Sequence, residues 1–386
     1  MNIFLIGPTY PYRGGIAHYT TLLYEHLMRV HSVSFVSYKR QYPAFLYPGK
    51  SDIDPDLAKK TMPEVERILD SVNPVSWIKT ALKVIRNKPD LLILPWWVAF
   101  WTPQYLCILT LVKVFRRKTA VLFICHNVVE HESNWIKRFC TRLVLSFGSC
   151  FIVHAKEEEL TLRSLLEAPL IKRTYIPLNE LFTEFPAELQ EKARAEIGIE
   201  NKKVILFFGF VRPYKGLRYL LEALPAVAAG MPDIILLIVG EFWTDRQEYF
   251  ELIEKYRLSN RLKIIDRYIA HDDVPKYFSA ADFVVSPYVS ATGSAIVQTA
   301  FGLGKPVVAT NVGSLPELIE HEKTGLIVEP HNSKALAEAI IRMYQDGMYK
   351  KCAEKVLIER KKFSWERYVK SIEELYESTH CAKRRQ

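Results

Sequence analysis

Short runs of β-branched and aromatic residues alternate with amphipathic helical stretches along nearly all of this chain, and the alternation runs twice. Strands separated by helices cannot pair as hairpins. They lie parallel, and the helices cover the sheet. In the first round, strands are predicted at 3–6, 33–37, 91–94, 120–125, 151–154 and 174–176, with helices at 15–30, 76–86, 133–146 and 156–166. The apolar stretch 105–115 reads as a core helix; the other reading is a helix lying on a membrane surface. In the second round, strands fall at 203–208, 234–239, 262–265, 283–286, 306–309 and 325–328, with helices at 216–227, 247–256, 294–303 and 333–344. A polar, Glu-rich stretch at 180–201, containing Pro186, reads as linker plus short helix. The expected fold is α/β: two Rossmann-like, doubly wound parallel-sheet domains facing across a cleft, with ligands at the strand C-termini. A length of 386 residues accommodates both domains. The predicted boundaries are 1–182, 183–362 and a terminal segment 363–386.

Other classes recede on simple grounds. No apolar run reaches the roughly 18 residues that span a bilayer. Met1 leads directly into a strand-like run with no basic region before it, so no secretion leader is expected. Cys107, Cys125, Cys140, Cys150, Cys352 and Cys381 form no C-x-x-C pair, which fits reduced thiols in a cytoplasmic protein. The net charge of +9 is lopsided. Residues 1–182 hold about 23 Lys and Arg against about 15 Asp and Glu, whereas the rest is nearly balanced. Such a field favours an anionic partner, though it also serves plain solubility. No nucleic-acid motif accompanies it.

Three segments carry candidate chemistry. The first runs from Gly7 to His18 and places Gly14-Gly15 between a strand and a helix. Paired glycines let a ligand approach the backbone, and a helix N-terminus offers free N–H groups to an anion. A plain tight turn is the alternative, and His18 is equally readable as structural. The second, Gly209-Phe210-Val211-Arg212-Pro213-Tyr214-Lys215-Gly216, places two cations at a strand-to-helix turn. Arg212 supplies a bidentate fork and Lys215 a point charge for phosphate oxygens; the alternative is two ordinary surface cations. The third passes from Ser286 through Thr292, Gly293, Ser294 and Ala295 to Gln298 and Thr299, a polar turn opening a helix. It reads as a second phosphate cradle or as an ordinary capped helix.

In this order, "GPTYPYRGGIAHYT", "ICHNVVEHE", "FGFVRPYKGLRYLLEAL", "ADFVVSPY" and "GKPVVATNVGSLPELI" resemble the large retaining glycosyltransferase family 4, of GT-B fold. The likeness covers essentially the whole chain and is strongest over 204–330. It implies transfer of a sugar from a nucleotide-diphosphate sugar to a hydroxyl acceptor, a glycolipid or polysaccharide precursor, with retention of anomeric configuration. It implies a leaving diphosphate held by Arg212, Lys215 and the backbone of Gly293, Ser294 and Ala295, with Thr292, Gln298 and Thr299 nearby. It places His126 near the transferred sugar and Gly14 and Gly15 on the phosphate side. No cofactor and no metal are implied, and Asp272-Asp273 reads as a solvated helix start rather than a D-x-D site. The terminal "FSWERYVKSIEELYE" resembles the family's last helix, which returns to the first domain.

The chain departs from the family's pattern. The family's two glutamates around the second cradle align with Ala291 and Thr299, and the Arg that usually follows the strand glycine is Phe210. Rival readings are a sugar-nucleotide epimerase on the same fold, a glycogen-type phosphorylase, and a sugar-nucleotide-binding protein with weakened catalysis. A glycoside hydrolase is disfavoured because no carboxylate pair can be placed.

The expected location is the cytoplasm, with the first domain peripheral on the inner face of the membrane and a lipid-linked or saccharide acceptor. Three features motivate this: the lopsided charge, the cluster Arg116-Arg117-Lys118, and the aromatic run Trp96-Trp97, Phe100 and Trp101. The tryptophans equally suit an acceptor cleft, since they follow a strand at its C-terminal end.

Overall fold

A computed structural model describes residues 1–43, 52–53, 62, 64–130, 134–178, 188–270, 273–291 and 294–383. The chain divides into two compact units, Met1–Tyr175 with Trp365–Gln386, and Ile176–Ser364.

The first unit contains β1 (Asn2–Ile6), α1 (Gly15–Met28), β2 (Ser32–Arg40), β3 (Glu66–Asp70), α2 (Pro74–Asn87), β4 (Leu91–Trp96), α3 (Thr102–Phe115), β5 (Ala120–Cys125), α4 (Trp135–Leu145), β6 (Cys150–Val153), α5 (Lys156–Leu165) and β7 (Ile171–Arg173). Its strands are all parallel, in the order β3-β2-β1-β4-β5-β6-β7. Central strands are apolar on both faces because helices cover both: Leu91, Leu92, Ile93 and Leu94 of β4 are wholly buried and pair in register with Ala120 to Phe123. Helix starts are set by polar caps. Asn73 accepts from the Val75 N–H before Pro74 opens α2, and Asn134 accepts from the Lys137 N–H (2.9 Å) at α4.

The second unit contains α6 (Glu188–Ile197), β8 (Lys203–Phe208), α7 (Leu217–Gly230), β9 (Ile234–Val239), α8 (Arg246–Lys255), β10 (Leu262–Ile265), α9 (Val274–Ala280), β11 (Phe283–Ser286), α10 (Ala295–Gly302), β12 (Val307–Thr310), α11 (Leu315–Leu318), β13 (Gly325–Val328), α12 (Ser333–Tyr344) and α13 (Met348–Glu359). Its parallel order is β10-β9-β8-β11-β12-β13. The last helix, α14 (Trp365–Lys383), packs within the first unit against α1, β6 and β7. In each sheet the strand order reverses once, between β1 and β4 and between β8 and β11. Those reversals leave the crevices where doubly wound sheets bind ligands.

Two expectations need correction. The strand expected at 174–176 is instead β7, pairing Ile171 with Phe151. Thr174 adds one N–H to the Val153 carbonyl before the chain passes to the other unit. Two of the four residues in the aromatic run are not surface anchors. Trp96 and Trp101 are 1% and 0% exposed, and the indole N–H of Trp96 donates to the Val128 carbonyl. Trp97 and Phe100 are partly buried against the same core. The stretch 105–115 lies in α3, with Tyr105, Ile108, Leu109 and Val112 buried in the core and Val114 and Phe115 exposed at its end. Among the described residues no helix is long and apolar enough to cross a membrane.

Candidate functional site

In the second unit, the β8–α7 and β11–α10 turns meet at the strand-order reversal. Gly209 follows β8 at φ 101°, and a methyl group there would lie 2.6 Å from Lys215 Nζ and 3.6 Å from Ile296 Cδ1. The Lys215 amine therefore sits directly over the Gly209 backbone, beside the first turn of α10. The turns interlock further: the Val289 N–H donates to the Tyr214 carbonyl (2.7 Å), and Gly216, at φ 69°, is pressed against the Pro287 carbonyl. A side chain at Gly216 would come within 1.8 Å of that oxygen, so only glycine fits.

Lys215 is 8% exposed, and among the described residues its amine has no hydrogen-bond or ion-pair partner. Burial pushes its pKa below the usual lysine value; Tyr214 partly offsets this and Arg212 adds to it. Lys305, also burial-lowered, to about 8, shows the contrast, because its amine donates to the carbonyls of Ser279 (3.2 Å) and Ala281 (2.8 Å). A buried ammonium without a partner is costly and is stabilised when an anion arrives. Arg212 is exposed and likewise unpaired, its guanidinium 5.4 Å from the Tyr214 ring and 5.6 Å from the Trp243 ring. Trp243 arrives there because Val211 bridges Phe242 beyond the ends of β8 and β9. Trp243 also lies 4.3 Å from the Phe210 ring. Trp243 escaped the sequence reading because it stands on another turn, and only the sheet brings it to Arg212.

The second cradle is partly engaged in its own structure. Ser294 caps α10 by accepting from the Val297 N–H and lies 3.4 Å from the Tyr288 hydroxyl. Ala295 opens the helix, Gln298 is buried on it, and Thr299 donates back to the Ala295 carbonyl (2.8 Å). Thr292, Gly293 and Asp272 lie outside the described residues. Among the described residues no group of three or more His, Cys, Asp or Glu is placed to hold a metal.

In the first unit, Gly14 and Gly15 are exposed at the start of α1, with nothing within 4 Å of a methyl group at either. Among the described residues no side chain caps this helix, so its first N–H groups have no side-chain partner there. His18 is occupied by the Tyr10 hydroxyl at its Nδ1. His126 follows β5, its backbone N–H donating to the Trp96 carbonyl (2.8 Å). Its ring stands edge-on to Tyr19 at 4.7 Å and 5.5 Å from the His154 ring. Its Nε2 is buried without a hydrogen-bond partner among the described residues. Burial, with His154 adding to it, pushes its pKa well below the usual histidine value. His154 Nδ1–H donates to the Thr174 carbonyl (2.9 Å), and burial brings this histidine down to about 4. Both rings are therefore neutral at pH 7, with bare Nε2 acceptor character at His154. Glu158 holds the loop after His126 by accepting the Val128 N–H (2.5 Å), and burial raises its carboxyl to about 7. Tyr19 donates to the Tyr368 hydroxyl of α14 (2.5 Å). The arrangement of His154, Glu158 and Tyr19 around His126 was not visible in the sequence, since each is isolated along the chain.

Residues 190–364 match the family model of glycosyl transferases group 1. Glycosyltransferase MJ1607 of Methanocaldococcus jannaschii, itself uncharacterized, is 30% identical over 214 residues, 53% of each chain. D-inositol 3-phosphate glycosyltransferase of Corynebacterium glutamicum is 26% identical over 251 residues, 62% of this chain and 60% of its own. The chain spans about half the length of the curated relatives it matches. Among solved structures, Anabaena Alr3699/HepE, in complex with UDP, superposes with a TM-score of 0.76 at 19% identity, covering 98% of this chain and 100% of its own. Residues 190–364 are thus similar to glycosyl transferases group 1, in a chain whose two parallel-sheet units have the fold of GT-B glycosyltransferases.

Proposed function

We propose that this chain is a retaining glycosyltransferase that moves a hexose from a nucleotide-diphosphate sugar to a hydroxyl acceptor. The observation that carries the proposal is Lys215, a buried amine 5.7 Å from the Tyr288 ring but without a hydrogen-bond or ion-pair partner among the described residues, set over Gly209 beside the start of α10. Lys215 and Arg212 grip the diphosphate, and the backbone of 293–295 supplies N–H donors. Gly14 and Gly15 present the open helix N-terminus to the phosphate side, and His126 accepts from or donates to a sugar hydroxyl. Residues 1–182 serve the acceptor and 183–362 the donor, with 363–386 belonging to the former. The place of the reaction is the cytoplasm, at the inner face of the membrane.

In the reaction, the bond from the anomeric carbon to the leaving phosphate oxygen breaks and a bond to the acceptor oxygen forms on the same face. The proton of the acceptor hydroxyl passes to the leaving diphosphate, so no side-chain nucleophile is needed. The protein contributes position and stabilisation of the charge that develops on the diphosphate. Unpaired cations suit this, because they interact most strongly with the departing anion. The absence of carboxylates at Ala291 and Thr299 leaves the sugar and ribose contacts to neighbouring hydroxyl, amide and backbone groups.

HepE has been solved with UDP and with UDP-glucose, so uridine diphosphate is the first nucleotide to test. Calorimetric titration with UDP, GDP and ADP, each against its monophosphate, should show tighter binding of one diphosphate. Incubation of the matching labelled sugar nucleotide with a lipid extract should then yield a glycosylated acceptor of unchanged anomeric configuration. Equal affinity for mono- and diphosphates sinks the diphosphate grip. An epimerised donor, free sugar phosphate or an inverted product each sinks the reaction proposed.

A further inference from the structure

α4 carries an apolar face turned to solvent. Trp135 is 77% exposed, Ile136 50%, Phe139 60% and Leu143 40%, while Thr141, Val144 and Leu145 bury the opposite side. At 100° per residue the four exposed residues span one continuous stripe of about 100°. Arg138 and Arg142 lie along one margin of that stripe; both are exposed and, among the described residues, without an ion-pair partner. The helix sequence WIKRFCTRLVL contains no acidic residue. Beside it, α3 ends in exposed Val114 and Phe115, followed by exposed Arg117 and Lys118. The ends of the two helices are tied by Lys113, whose amine lies 5.2 Å from the Phe147 ring.

A monomeric soluble protein scatters its exposed apolar side chains singly; four on three turns of one helix mark a docking surface. We propose that α4, with the end of α3, is a membrane-docking face that inserts Trp135, Ile136, Phe139 and Leu143 among anionic lipid headgroups. Charge decides between occupants. Two copies of this chain meeting face to face would bring Arg138 and Arg142 against their like, whereas anionic headgroups neutralise them. An interfacial helix has this pattern: a wide apolar stripe with large aromatic residues, flanked by cations, too short to span. The face lies elsewhere than the buried tryptophans Trp96 and Trp101. It deepens the proposed function by naming the surface that would bring a lipid-borne acceptor to the enzyme, but it stands on observations independent of the sugar donor.

The test is flotation of the full chain with vesicles of phosphatidylcholine, with and without phosphatidylglycerol, at low and high salt. The full chain should float with the phosphatidylglycerol vesicles at low salt and much less at high salt. Trp135→Ser/Phe139→Ser and Arg138→Ser/Arg142→Ser should each weaken that association by about tenfold or more. Both pairs are exposed, so the melting temperature and UDP binding should not change. No association of the parent chain at low salt overturns the proposal, as does association unchanged in the Trp135→Ser/Phe139→Ser variant. A concentration-dependent dimer that this variant abolishes also overturns it, assigning the face to a second copy. Loss of UDP binding in Lys215→Ala with flotation intact would leave this proposal standing and separate it from the reaction.

Discussion

The two units share a strand order, reversed once beside the first strand of each, yet they use the same place in opposite ways. In the second unit the crevice is cationic and sterically tight. Gly209, Gly216 and Gly240 are packed against backbone or the Lys215 amine, and the charge is left uncompensated. In the first unit the corresponding helix start at Gly14-Gly15 is open, and the polarity is moved inward to neutral, buried histidines and paired tyrosine hydroxyls. The lesson is that topology fixes where a ligand can sit, while local packing decides whether the site is built for an anion or for hydroxyl groups.

The sharpest way to break the comparison is through α14. Trp365 is buried against Tyr19 and stacks on His26 at 4.9 Å, all within the first unit. Trp365→Ala should cost the first unit about 3–5 kcal/mol, as other large-to-small core changes do. Hydrogen exchange should show the loss over α1, β6 and β7, with the strands β8 to β13 protected as before. Uniform loss over both sheets would mean the units do not melt separately.

Next come the glycines. Gly216→Ala drives a methyl group into the Pro287 carbonyl at a left-handed backbone position and should cost about 3 kcal/mol. Gly15→Ala meets open space and should change stability by only a few tenths of a kcal/mol. Denaturant midpoints of the pair decide whether the tight and open turns differ as described.

The buried ionisable groups give opposite pH signs within the first unit. His126 and His154 are held neutral in the folded chain, His154 at about 4 against an ordinary 6.5. Their contribution is therefore present above about pH 6.5 and is lost as pH falls toward 4. Glu158, raised from 4.5 to about 7, works the other way, and its contribution is lost as pH rises through 7. Glu158→Gln keeps an acceptor for the Val128 N–H and removes the desolvated charge. It should flatten the decline in melting temperature between pH 4.5 and 7, and His154→Gln should flatten the acid limb. A variant that keeps its parent's slope refutes the corresponding assignment.

In the second unit, charge-assisted hydrogen bonds of about 1.5–3 kcal/mol each set the scale for Lys215→Ala. Affinity for pyrophosphate and for the preferred nucleoside diphosphate should fall roughly tenfold to a hundredfold. The melting temperature without ligand should hold or rise, because an uncompensated buried amine is removed. A drop in both would make Lys215 structural. The smallest effect belongs to Trp243→Ala. Loss of one exposed cation–π contact is worth about 0.5–1 kcal/mol. If Trp243 acts by orienting Arg212, Trp243→Ala and Arg212→Ala should be non-additive in pyrophosphate affinity, and Trp243→Phe should restore most of it.

The sequence patterns reached the alternation of buried strands and helices because runs such as Ile234–Val239 and Leu91–Trp96 are apolar on both faces. They missed β3, since ERILD at the sheet's edge mixes charged with apolar residues and needs only one paired neighbour. Lys215 and Arg212 were legible because strand, glycine, cation and helix follow one another along the chain. Trp243, His154 and Glu158 were not, because their neighbours are supplied by parallel strands distant in sequence. The aromatic run Trp96 to Trp101 misled for a related reason. Its residues are close in sequence, but the β4–α3 connection turns Trp96 and Trp101 into the core, while the exposed residues of α4 look unremarkable in one dimension.

The route of the chain has a consequence for how the protein is made. The first unit is built from two stretches, Met1–Tyr175 and Trp365–Gln386, with the whole second unit translated in between. A ribosome therefore releases every strand of the first sheet long before Trp365 and Tyr368 exist to cover Tyr19 and His26. The second unit, continuous from Ile176 to Ser364, has its full set of contacts while its predecessor still waits for its final helix. Nascent chains are thus expected to expose the His126 side of the first sheet for the whole time the second unit is being synthesised. Emergence of α14, rather than synthesis of the sheet itself, closes the older half of the molecule.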